Sequence, residues 1–273
     1  MHSLLSVGDP PPFATVNPAG RLPLLLLCDH AGKAVPSALG SLGIPETELA
    51  RHIGWDIGAL DVATELSAVL DAPLVASTYS RLVIDCNRWP GGEGSIPETS
   101  DGTPVPGNTG LSESGIRARA DACFWPYHNE VERLIADVAA RGVKPALFVV
   151  HSFTPVMAGV RRPWELGVLW RTDERLPVPL LSELRKLDGV LTGDNEPYSA
   201  RASYEYTLTA HADPHGLPHC SLEIRQDLIG TRDSAVAWAR RLAAPVRAAV
   251  AAALDSRTKP PLSPANVEFR QCG

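Results

Sequence analysis

His30 and His151 each follow a short apolar run. Leu24-Leu25-Leu26-Leu27 leads into Cys28-Asp29-His30-Ala31-Gly32, and Ala146-Leu147-Phe148-Val149-Val150 leads into His151-Ser152-Phe153. Imidazole is the commonest side-chain metal ligand and the one ordinary side chain that changes charge near neutral pH. In an open α/β sheet, ligands bind outside the carboxyl ends of the strands. Two imidazoles at that edge, from strands far apart in sequence, point to a metal or acid–base site. A catalytic zinc centre holds three protein ligands and a water, so a third donor is required. Asp56, in His52-Ile53-Gly54-Trp55-Asp56-Ile57-Gly58, is one candidate. It is equally a helix N-cap, since Asp accepts the free N–H groups of a first turn. Neither histidine belongs to a His-Glu-x-x-His helix, so the common metalloprotease motif is absent.

Three further segments carry polar groups in suggestive places. In Ser80-Arg81-Leu82-Val83-Ile84-Asp85-Cys86-Asn87-Arg88, two arginines flank an apolar run and Asn87 adjoins Arg88. A guanidinium fork beside a carboxamide suits a substrate carboxylate; a surface pair with Asp85 is the alternative for Arg81 and Arg88. Glu223 lies between Leu222 and Ile224, late in an apolar run. A carboxylate there must be paired, protonated or functional, and general bases need such a site and a raised pKa; a salt bridge to Arg225 is the plainer reading. Tyr198, Tyr204 and Tyr206 can each donate to an oxyanion. His211, His215 and His219 precede the Glu223 run at spacings of four, with Pro and Gly between them that favour a loop.

The elements that must position these groups alternate along the chain. Short, mostly apolar runs predict strands at 22–28, 74–77, 82–85, 146–150, 166–170 and 219–225, without clean alternation, as in sheets covered on both faces. Helices are predicted at 46–51, 56–70, 116–141, 179–187 and 233–254. Val131, Leu134, Ile135 and Val138 form one apolar stripe, and Pro126 should break or kink that helix near Phe124. Residues 89–109, rich in Gly, Pro, Ser and Thr, form a long loop that reads as a lid or pocket wall. Residues 1–20 read as an extended arm, 21–255 as a single domain and 256–273 as a tail. The pattern predicts an α/β fold.

Composition narrows the function. The net charge of −6 over 273 residues argues against a general nucleic-acid binder. No apolar run is long enough for a membrane span, and the N-terminus shows no secretory pattern. Five widely spaced cysteines with no Cys-x-x-Cys pair suit reduced thiols in a cytoplasmic protein. The Gly-x-Ser-x-Gly elbow, the P-loop and the Gly-x-Gly-x-x-Gly fingerprint are all missing.

Taken in order, several of these pieces resemble the N-formylglutamate amidohydrolase family. They are Asp29-His30-Ala31-Gly32 with Pro36, Trp55-Asp56, Ser80-Arg81 with Asp85-x-Asn87-Arg88, His151-Ser152, Asp194-Asn195-Glu196-Pro197-Tyr198-Ser199 and Glu223-Ile224-Arg225-Gln226-Asp227-Leu228, spread over about residues 22–230. The family is similar in fold to zinc carboxypeptidases and aspartoacylase. The resemblance implies a three-layer αβα fold with a mixed, mostly parallel central sheet of the carboxypeptidase and phosphorylase/hydrolase kind. It implies zinc (or Mn, Co or Fe) on His30, Asp56 and His151, with Glu223 as general base. Arg81 would polarise the scissile carbonyl or clamp a second carboxylate. Asn87 and Arg88 would hold the substrate carboxylate, with Tyr198 beside them. One departure stands out: the carboxypeptidase pattern is His-x-x-Glu, and here Lys33 occupies the third position after His30. The expected reaction is hydrolysis of the amide of an N-acyl amino acid, N-formyl-L-glutamate giving formate and glutamate. A carboxypeptidase or N-acyl-aspartate deacylase on the same site, and a non-catalytic binding protein on this fold, are the rival readings. The partner implied is a small molecule, with no nucleic acid or membrane.

Overall fold

A computed structural model describes residues 4–201 and 205–255. Seven strands make the main sheet: β1 (Phe13–Val16), β2 (Leu24–Cys28), β3 (Leu74–Ser77), β4 (Ala146–Phe153), β5 (Leu166–Leu169), β6 (Thr192–Asp194) and β7 (His219–Arg225). Their spatial order is β1-β3-β2-β4-β7-β5-β6. The central β3, β2, β4 and β7 run parallel. β1 is antiparallel at one edge, and β5, with β6 alongside, runs antiparallel to β7 at the other. The sheet is therefore mixed and mostly parallel in its middle, as the family resemblance implies.

The apolar runs fail to alternate because both faces are covered. Leu24, Leu26 and Cys28 of β2 pack with Phe148 and Val150 of β4 under α1 (Ala59–Leu70), α3 (Pro177–Leu184) and α4 (Arg232–Leu254). Leu25, Leu27, Leu147 and Val149 face the opposite layer. There α2 (Trp125–Ala139) lays down its predicted stripe of Val131, Leu134 and Ile135. Successive strand residues point to opposite faces, so every position of β2 and β4 is buried.

Pro126 does not break the helix. The run Glu113–Arg119 continues through a π turn, Ala120–Phe124, into α2. Proline lacks the N–H for an i→i−4 bond, and a π turn is a usual way for a helix to absorb that loss.

The strand expected at 82–85 is absent. Leu82, Val83 and Ile84 are buried, but in a loop packed against Val105 and Phe124. Side chains replace a neighbouring strand: Asn108 Nδ2 donates to Leu82 O at 2.9 Å and Arg119 Nη1 to Val83 O at 3.0 Å. Buried backbone must be hydrogen-bonded, and here a helix and a loop supply the partners. Conversely, β1 and β6 were not expected. β1 lies within the N-terminal stretch read as an arm and pairs along the outer edge of β3. β6 has three residues, one of them glycine.

Candidate active site

The parallel strands carry their polar residues to one end of the sheet. His30 lies in the turn after β2, while His151 lies inside β4 and Glu223 inside β7. Glu223 is paired in register with His151 and, on its other side, with Gly167 of β5. Register partners share a face, so Glu223 stands beside His151. A Cβ at Gly167 would lie 1.9 Å from Glu196 O, so only glycine fits under this corner.

Asp56 completes the group. Its backbone N–H bonds to His30 O at 2.9 Å. It is not the helix cap: Gly58, at φ +79°, is the N-cap of α1, with no side-chain cap. The carboxylate instead faces inward. Asp56 Oδ2 lies 2.8 Å from His151 Nδ1 and 3.4 Å from His30 Nδ1, and it accepts Ser152 N–H at 3.3 Å. Ligand atoms of His30, Asp56 and His151 all lie within 4.8 Å of one another, and all three residues are buried. This is a mixed nitrogen and oxygen donor set of the kind zinc accepts.

Both imidazoles are backed by carboxylates. His30 Nε2 lies 2.8 Å from Asp85 Oδ1, and His151 Nε2 lies 3.6 Å from Asp29 Oδ2. Asp29 is itself fixed by Tyr127, whose hydroxyl donates to Oδ1 at 2.6 Å. Carboxylates behind histidines commonly orient metal ligands and raise their basicity. Neither aspartate had been assigned a site role from sequence, although Asp29 adjoins His30 and Asp85 sits two residues before Asn87.

Arg81 ties the two layers together. Its Nη1 lies 3.3 Å from Asp56 Oδ1 and its Nη2 3.0 Å from Asp85 Oδ2. Asn87 donates its backbone N–H to Asp85 Oδ1 at 2.8 Å and accepts Thr207 N–H on its side-chain oxygen at 3.0 Å. Arg88 donates to Asn87 O at 2.9 Å. The Tyr198 hydroxyl accepts from Arg162 Nη1 at 2.9 Å, which leaves its own proton to point elsewhere.

Asn87, Arg88, Tyr198, Glu205 and Glu223 join the histidines and Asp56 around a cavity of about 220 Å³. A second cavity of about 640 Å³ shares His52, Arg81, Arg88 and Tyr198 with it. Gly94, Pro97, Ser100 and Asp101 of the 89–109 loop line this outer cavity, which makes that loop a pocket wall.

Other expected groups lie elsewhere. Tyr206 packs among Trp89, Phe124 and His128. His211 stacks on His128, His215 pairs with Glu132, and His219 bonds Leu217 O. Lys33 lies over the Trp55 ring. Tyr204 falls outside the described residues.

The electrostatics are those of a site short of a partner. Burial pushes the Glu223 carboxyl up to about 7. Burial opposes the His151 imidazolium, but hydrogen bonding to Asp56, with the charges of Glu223 and Asp29, outweighs it and lifts this group to about 10. Burial likewise opposes charge on Asp56, yet His30 and His151 hold its carboxyl well below the usual range. Burial takes His52 down to about 4. Buried His151 Nε2, Asp29 Oδ2 and Glu223 Oε2 have no hydrogen-bond partner among the described residues. The first two face each other at 3.6 Å, while Glu223 lines the cavity; a buried carboxylate oxygen without a partner is rare in native interiors and fits a place built for a ligand.

Residues 22–230 match the N-formylglutamate amidohydrolase family. The crystal structure of gene product Atu2144 from Agrobacterium tumefaciens superposes with a TM-score of 0.87 at 35% identity, covering 91% of this chain and 98% of that one. The N-formylglutamate amidohydrolase of Ralstonia eutropha JMP134 shares the fold at a TM-score of 0.65 and 21% identity, over 88% of this chain and 98% of that one. No curated protein matches the chain. With the match spanning the whole site, the chain belongs to the N-formylglutamate amidohydrolase family.

Proposed function

We propose that this protein is a zinc-dependent hydrolase of N-acyl amino acids, with N-formyl-L-glutamate, for which the family is named, as the reference substrate. The observation that carries the reading is the buried His30–Asp56–His151 cluster with Glu223 beside it. These three residues would hold the metal; a bound zinc supplies a Lewis acid and makes a water easier to deprotonate. Manganese, cobalt or iron could take the same donors.

The remaining steps belong to the chain's own groups. Glu223, with a carboxyl poised near neutrality, takes a proton from the attacking water and returns it to the departing amine nitrogen. Arg81 holds Asp56 and Asp85 in place and presents its partly exposed edge to the carbonyl side of the pocket. Arg88, which forms no ion pair among the described residues, anchors the substrate carboxylate with Asn87. Tyr198, its oxygen held by Arg162, donates to the oxygen that gains charge in the transition state.

The test is Glu223→Gln, assayed with N-formyl-L-glutamate while bound metal is measured. The expected result is a loss of about 10²–10⁴-fold in kcat with metal retained. Turnover within a few-fold of wild type would remove Glu223 from the chemistry.

A further inference from the structure

We infer that Arg162 is a second carboxylate anchor, taking the side-chain carboxylate of an N-acyl acidic amino acid while Arg88 takes the α-carboxylate. This rests on the amidohydrolase reading above. The cations around the outer cavity of about 640 Å³ are of two kinds. Arg51 pairs with Glu48 and, at 2.8 Å, with Asp101, and Arg81 pairs with Asp56 and Asp85. Arg88, on the wall, and Arg162, directly behind it, form no ion pair among the described residues.

Arg162 is 8% exposed. A guanidinium that deep needs a counter-charge or strong acceptors. Its Nη1 donates to the Tyr198 hydroxyl at 2.9 Å and, less well, to Thr154 O at 3.4 Å, while Nη2 meets Met157 Sδ. A thioether is a weak acceptor. All three partners line the outer cavity, so the guanidinium fork is turned toward that space. A carboxylate oxygen in place of the thioether converts the weakest of these contacts into a charge-assisted one.

The fork is also held in direction. Val156–Met157 and Val160–Arg161 pair as a small hairpin. Arg162 follows at its base, its backbone N–H bonded to Pro155 O at 2.9 Å. Its Cζ lies 4.6 Å from the Tyr198 ring centre and 5.7 Å from that of Phe153. Aromatic faces fix a guanidinium plane. Phe153 ends β4 two residues beyond His151, on the same face of the strand. Tyr198 lines the inner cavity as well, with the metal donors and Glu223. Burial and the Glu223 charge raise its phenol, while Arg162 and Arg81 oppose that rise. One hydroxyl thus lies within reach of Glu223 and of both guanidiniums. Met157, 49% exposed on the hairpin, is the cover. Its unbranched side chain adapts readily and turns aside to admit the carboxylate. Two carboxylates then meet the two cations that lack ion pairs.

The experiment measures kcat/KM on the zinc-loaded protein for N-formyl-L-glutamate and N-formyl-L-glutamine, which carries a neutral amide in place of the side-chain carboxylate. Wild type should favour the glutamate compound by at least about tenfold, the scale of a hydrogen bond to a charged group. Arg162→Gln should bring the ratio near one. Because Arg162 also holds Tyr198, that variant slows both compounds, and the ratio separates recognition from support. Met157→Glu, on the exposed hairpin, gives Arg162 an internal carboxylate and should lower the ratio by about tenfold or more; it decides the matter should Arg162→Gln not fold. A wild-type ratio near one, or an unchanged ratio in either folded variant, overturns the inference and leaves the amidohydrolase reading standing. Cleavage of neither compound by metal-loaded wild type overturns both.

Discussion

Glu223 shows how much one buried side chain decides. Its carboxyl, buried at 6% exposure, is pushed from 4.5 to about 7. Between those values the folded protein binds the proton and the unfolded chain does not, so stability falls as pH rises through that window. The charged form is therefore a cost above pH 7, on the order of 1–3 kcal/mol. In metal-free protein, Glu223→Gln should melt higher than wild type at about pH 8, and the difference should vanish near pH 4. A variant less stable at both pH values would contradict the carboxyl's placement. His151 is raised too, so its contribution to stability also falls as pH rises, from about 6.5 toward 10. Its imidazole is held protonated, up to about 10, chiefly by the Asp56 bond acting against burial. A metal needs the neutral ring, so zinc uptake should release protons and tighten as pH rises from about 6 to 8. Calorimetry in buffers of different ionisation enthalpy reads this directly; pH-independent affinity would refute it. At this scale the sequence is informative where a polar residue interrupts an apolar run, as at His30, His151 and Glu223. It left Asp56 open, because an aspartate before a helix is a cap in most contexts. The carboxylates behind the histidines are legible only once β2, the 80–88 loop and α2 meet in space.

The 80–88 loop is the least strand-like element and the most consequential one. Its apolar core reads as a strand, yet it carries Arg81, Asp85, Asn87 and Arg88 into the site without joining the sheet. Arg119, 1% exposed, makes this feasible by donating to Val83 O, Gly107 O and Asn108 Oδ1. Removing a buried charged donor leaves several acceptors unpaired. Arg119→Ala should therefore cost about 2–4 kcal/mol in urea unfolding. It should also lower kcat/KM, since the loop holds Asp85 behind His30. A loss below about 0.5 kcal/mol, the usual size for a surface change, would show that the loop stands without Arg119. The sequence could not reveal this support, because a buried arginine inside a helix looks like any solvated one. The 89–109 segment was easier: its length and composition read as a lid or pocket wall, and four of its residues line the outer cavity.

Across the whole molecule, five of the six predicted strands assemble into one sheet, four of them running parallel under helices on both faces. The two buried layers share β2 and β4, and β1, within the stretch read as an arm, pairs at the edge of the same sheet. Edge strands were the least legible, since β1 and β6 are short, β1 is only half-buried and β6 has no apolar side chain. Cys28, Cys86, Cys123 and Cys220 are free and buried, while Cys272 lies outside the described residues. No helix among the described residues is long and apolar enough to cross a membrane. The proposed metal ligands come from the turn after β2, from β4 and from the turn before α1, so an ion there would join three segments of the fold. The most direct measurement is metal content per chain, by elemental analysis, for wild type and His151→Ala purified without chelator or metal-affinity resin. About one zinc per chain in wild type, lost in the variant, is the predicted result. Wild-type protein that holds no metal after zinc addition and dialysis would contradict the account.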